Sequence, residues 1–68
     1  MNWKKGDRVM WRFENAPGCS VLVPAVVLGA TAARVQIRAL LGDSLAKRHV
    51  KPDRLSPRAQ VFEGLDDV

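Results

Sequence analysis

The chain has a single cysteine, Cys19, so no disulfide can form within it. His49 is its only histidine, and a structural zinc site takes about four nitrogen or sulfur ligands, so no metal site is expected. There is no tyrosine, and the aromatic side chains are Trp3, Trp11, Phe13 and Phe62 alone. That is too few for a cage of rings around a methylated lysine or for an aromatic-lined polyproline groove. No apolar run approaches the roughly 20 residues that span a bilayer, and no apolar signal segment follows Met1-Asn2-Trp3-Lys4-Lys5-Gly6. The expectation is a soluble, cytoplasmic protein with no membrane contact. At 68 residues it is one domain with a core of marginal size, for which self-association is one remedy.

Catalytic groups are equally sparse. A nucleophile–base–orienting constellation needs a histidine or its equivalent beside a nucleophile. His49 stands between Lys47 and Lys51 in an alternating segment, and Cys19 lies next to Pro17-Gly18, far from it in sequence. Asp7, Asp43 and Asp53 occupy turn positions, where aspartate bonds its own backbone. No enzyme activity and no cofactor are expected.

What the chain does have is positive charge, unevenly placed. Eleven lysines and arginines face seven acids, for a net +4 and an isoelectric point near 10. Residues 59–68 carry Glu63, Asp66 and Asp67 and no base; the other 58 residues carry all eleven bases against Asp7, Glu14, Asp43 and Asp53. A basic body of +7 with an acidic tail is the pattern of a domain that meets a polyanion.

The apolar pattern is that of strands. Val9, Trp11 and Phe13 alternate with Arg8, Met10 and Arg12, and Val35, Ile37 and Ala39 alternate with Arg34, Gln36 and Arg38. Val21 to Leu28 is a continuous apolar run, predicted as a strand buried on much of both faces, with Pro24 at an edge or bulge. Ala46 to Lys51 forms a fourth strand. Residues 14–20, rich in turn formers, are predicted as a loop, and Gly42-Asp43-Ser44 as a hairpin turn. Pro52-Asp53-Arg54-Leu55 suits a 3₁₀ turn before a last short strand at 56–58, and residues 59–68 are predicted as an acidic, flexible tail. The alternative for that tail is docking, on a partner or back over the basic face.

The segments Gly6-Asp7-Arg8-Val9, Pro24-Ala25-Val26-Val27-Leu28, Val35-Gln36-Ile37-Arg38 and Arg48-His49-Val50-Lys51-Pro52-Asp53-Arg54-Leu55 resemble the SH3-like barrels of small bacterial proteins of the KOW and Tudor-like kind. Those open with a GD-x-V strand and close with a V-x-P-x-x-L turn. The resemblance covers residues 4–58 and implies an all-β fold: a small SH3-like barrel of about five short antiparallel strands with a 3₁₀ turn before the last. Val35-Gln36-Ile37 is also similar to the folate-binding VQIY segment of the barrel-forming type II dihydrofolate reductases. Arg38 stands where those have tyrosine, however, and the segment falls one strand too early, so folate chemistry is not expected.

Strand alternation then points Arg8, Arg12, Arg34, Gln36, Arg38, Lys47, His49 and Lys51 away from the core. Arginine forks suit phosphate oxygens, so the sequence predicts a phosphate-binding face for RNA or DNA, with Trp3, Gln36 or His49 contacting bases. Arg34, Arg38, Lys47 and Lys51 are expected close together on one sheet face. The alternative is a protein-interaction module or homodimer using the tail and apolar side chains left outside, Met10, Leu22, Leu40 and Leu41.

Overall fold

Strand formation follows the alternating segments. The computed structural model describes residues 3–66 and shows β1 (Arg8–Ala16), β2 (Cys19–Ala30), β3 (Val35–Leu41), β4 (Ser44–Val50), a 3₁₀ turn (Pro52–Arg54) and β5 (Leu55–Pro57). All pairings are antiparallel, in one sheet of order β4-β3-β2-β1-β5. The fold is therefore all-β, with the 3₁₀ turn directly before the last strand.

Residues 14–20 are not a loop. They extend the β1–β2 ladder to the Ala16–Cys19 pair, leaving only Pro17-Gly18 as the turn. Proline sets the first turn angle and Gly18 takes φ +76°, the left-handed value that a type II turn needs at its second central position. Such a turn fits the strand twist poorly, and the register shifts between Glu14 and Ala16 to absorb it. The second tight hairpin closes at Leu41–Ser44 with Gly42 at φ +64° and Asp43 at negative φ, the pattern of a type II′ turn that matches the twist.

One face of the sheet holds the core. Val9, Trp11, Ala25, Val27, Val35, Ile37, Ala39, Val50 and Leu55 form a single buried cluster, drawn from every strand, with Trp3, Phe13, Val23 and Leu41 packed against it. Leu41 shares its face with Ala39, so it lies inside rather than outside. Trp3 is likewise packed, its indole Nε1 donating to the Pro52 carbonyl at 3.3 Å; it is not free to contact a base. The run 21–28 is buried only at its centre, Ala25 to Val27. Val21 and Leu22 are exposed because β3 pairs with β2 only from Ala25 onward, so the hairpin end projects past its neighbour.

Val26 departs from the alternation in an informative way. It pairs with Arg8 on one side and Arg38 on the other, which places it on the outer face, yet it is fully buried. Leu65, from the segment expected to be flexible, is 1% exposed. Residues 62–66 are docked on the sheet. Asp66 N donates to the Phe62 carbonyl at 3.1 Å, and Phe62 N donates to Asp66 Oδ2 at 2.9 Å, so the turn closes on itself. Arg58 then ties it to the sheet. Its Nε donates to the Val9 carbonyl, one Nη to the Ala25 carbonyl and Asp66 Oδ1, and the other to Asp66 Oδ2 and the Gln60 carbonyl. All five guanidinium N–H groups are used, and the fork grips the Asp66 carboxylate with both arms. Asp67, counted among the tail's acids, lies outside the described residues.

Candidate nucleic-acid interface

The ladder between β3 and β4 decides which of the eight outward residues meet. Arg38 is directly opposite Lys47, and Gln36 directly opposite His49. Arg34 and Lys51 flank the far end of that ladder, about 13 Å along the strand from the Arg38–Lys47 pair. The expected cluster of Arg34, Arg38, Lys47 and Lys51 is thus two separate pairs on one face, divided by Gln36 and His49.

At the first pair, Arg38 serves the C-terminal turn. Arg38 is half-buried, and its Nη2 donates to the Leu65 carbonyl at 2.6 Å and reaches the Gly64 carbonyl at 3.5 Å. Arg8, across β2 on the same row, lies close enough to Asp66 for its charge to act on that carboxyl. Asp66 is held below the ordinary carboxylate range, first by the Arg58 hydrogen bonds, then by the Phe62 N–H and the Arg58 and Arg8 charges, against burial, which pulls the other way. Arg8 and Arg38 therefore attend the protein's own acidic segment, a role the alternating pattern did not reveal. Lys47 stays exposed beside them.

The other end of the ladder opens on a cleft of about 370 Å³ between β1 and the 3₁₀ turn. Arg12, Arg34, His49, Lys51 and Arg54 line it, with Glu14 as the one acid. Four permanent cations thus face one carboxylate. Among the described residues, none of their side chains makes a hydrogen bond or ion pair. The floor is apolar: Trp11, Phe13 and Val50. The two rings lie 4.9 Å apart, centroid to centroid, tilted by 49°. Trp11 is buried, while Phe13 is half-buried, packed against the core and lining the same cleft as the cations.

Two of these features were not anticipated. Arg54 was assigned to a turn and given no role, although three residues per turn bring it to the same side as Lys51, whose carbonyl accepts from Arg54 N at 3.1 Å. The parity of Phe13 with Val9 points it at the core, and it packs against the core's edge while staying partly exposed. Its partial exposure arises because β5 pairs with β1 only as far as Trp11, so β1 runs past that neighbour at Phe13, which no local pattern signals.

A second depression of about 290 Å³ shares Arg34 and His49 with the cleft and is otherwise bounded by Gly29, Ala30, Thr31 and Gln36. It sits at the β2 irregularity between Val27 and Gly29, where the register with β3 shifts. The Thr31 hydroxyl and Arg34 backbone exchange hydrogen bonds at 3.1 and 3.2 Å, which holds the turn that carries Arg34.

Among the described residues there is no group of three or more His, Cys, Asp or Glu side chains placed to hold a metal ion. Cys19 is exposed at the hairpin end. Among the described residues, no helix is long and apolar enough to cross a membrane. Comparison of the chain with protein-family models, with curated proteins and with solved structures finds no match in any of the three.

Proposed function

We propose that this protein is a non-enzymatic nucleic-acid-binding module, built as an SH3-like barrel, that grips RNA or DNA through the β1–3₁₀ cleft with low sequence specificity. The observation that carries the reading is the cleft itself: Arg12, Arg34, Lys51 and Arg54 unspent on internal bonds, beside a half-exposed phenylalanine and a single opposing acid. Unpaired arginines suit phosphate oxygens, and an adjacent ring offers a base a surface to stack on. The barrel assignment draws on the strand order and on a core that takes in residues of every strand, from Val50 at the end of β4 to Leu55 at the start of β5. An exposed free thiol and a polyanionic ligand both suit a reducing, cytoplasmic setting.

An amide-shift titration of isotope-labelled protein with mixed-sequence RNA and DNA tests this. Shifts at residues 12–14, 34, 36, 49–51 and 54 that vanish as salt rises are the expected result. Absence of shifts at low salt would sink the reading. The second reading is a protein-interaction module, homodimeric or otherwise, favoured by the exposed apolar side chains Leu22, Leu45 and Val61. An apolar interface weakens little with salt, whereas phosphate binding loses about 0.7–0.9 in log K per tenfold salt for each neutralised phosphate.

A further inference from the structure

Taking the nucleic-acid reading as its premise, we infer that the ligand is single-stranded and that one nucleotide step straddles the Arg34–His49 ridge. Two depressions have Arg34 and His49, and no other residue, in common in their linings, which makes those two residues the ridge between them. A ridge bearing a guanidinium is where a phosphate sits, and the hollows to its two sides are where the flanking bases go.

The two hollows differ in chemistry. The first offers the half-exposed Phe13 ring, braced by Trp11, as a stacking surface. The second offers Gln36 and His49, cross-strand neighbours on one face, whose side chains stand about 5 Å apart at their Cβ atoms. Gln36 presents a donor and an acceptor together, the combination that bonds the edge of a base. Room for the base comes from Gly29, directly opposite Gln36 on β2: a Cβ built there meets no atom within 4 Å. Bases inside a duplex are stacked on both faces and paired along their edges. Only an unpaired strand can place successive bases in hollows on opposite sides of one phosphate.

Gly29 supplies the decisive variant. Its backbone does not occupy the left-handed region, and the space beyond it is open, so Gly29→Val fills the second hollow with a strand-compatible side chain at little strain. Fluorescence anisotropy with labelled mixed-sequence single-stranded RNA and DNA, and with a duplex of equal length, reads the outcome. The expected results are single strands bound about tenfold or more tighter than duplex, a loss of about tenfold in single-strand affinity for Gly29→Val, and an unchanged salt slope in that variant. Gln36→Ala gives a second, smaller loss in the same direction and removes dependence on how Gly29→Val folds. Duplex bound as tightly as single strand, or single-strand affinity indifferent to both substitutions, overturns the straddling arrangement while leaving nucleic-acid binding intact. Failure of every nucleic acid to bind at low salt overturns both.

Discussion

Under the C-terminal turn, Arg58 spends all five of its N–H groups on carbonyls of Val9, Ala25 and Gln60 and on the Asp66 carboxylate. In the cleft, the side chains of Arg12, Arg34 and Arg54 spend none among the described residues. The residue type is the same in both regions, and the difference lies in what the fold brings within reach. A buried guanidinium is tolerated because a carboxylate and backbone carbonyls replace the water it loses. An exposed group of cations facing one acid repels itself slightly, and contributes nothing to stability that would account for its placement. Charge bound internally is part of the structure; charge left unbound is available to a ligand.

The largest expected effect comes from removing the internal fork. Arg58→Ala strands the Asp66 carboxylate and two buried carbonyls, and should cost about 3–5 kcal/mol in denaturant unfolding, much of the stability of so small a domain. An unchanged midpoint would show that the turn's anchoring is decorative. Leu65→Ala comes next, at about 2–5 kcal/mol if the turn and the sheet unfold together, with the loss falling toward the low end if the turn merely detaches. Hydrogen exchange separates these cases, since detachment raises exchange near Phe62–Asp66 and leaves β3 protected.

Acid probes the same region more gently. Because the Asp66 carboxyl is depressed in the folded state, its stabilisation is fully present above the unfolded value of 3.8 and is lost as pH falls through the lower, folded value. Stability should therefore be insensitive to this group near neutrality and fall below pH 3.8. Asp66→Asn should start lower at neutral pH and show a shallower acid decline in a series of unfolding curves. An acid decline as steep in Asp66→Asn as in the parent would assign the effect to another carboxylate.

The smallest stability effect, and the sharpest contrast, comes from a pair of arginines four residues apart. Arg34→Ala should change stability by no more than about 0.5 kcal/mol and make the salt slope of single-strand binding shallower by about 0.7. Arg38→Ala should do the converse, loosening the C-terminal turn with the salt slope unchanged. Equal effects of the two on binding would erase the distinction between the regions.

Much of this was legible beforehand, and the parts that were not have specific causes. The strands at 8–13 and 34–40 follow from period-two alternation, which reports which side faces the core. That same alternation placed Arg8 and Arg38 outside correctly and could not say what lies over them. Val26 and Leu65 are both buried, and Arg38, the β3 partner of Val26, holds the Leu65 carbonyl across 27 residues of chain, a relation that no local spacing encodes. Arg58 reads locally as the end of a short strand, because its four partner residues include Val9 and Ala25, which only the folded sheet brings near. Turn chemistry misled in one place: the formers in residues 14–20 suggested a loop, where only Pro17-Gly18 is needed to reverse the chain.

The sequence by itself determined the fold class and the sidedness of the strands, since alternation and turn residues act within a few positions of one another. It also determined that the chain carries an excess of unopposed cations. Tertiary structure alone decided which cations are consumed and which remain. Hydrogen bonding and desolvation depend on distances between segments far apart in the chain, and those distances exist only once β3 lies between its neighbours and residues 58–66 are tied to the sheet through Arg58 and Arg38.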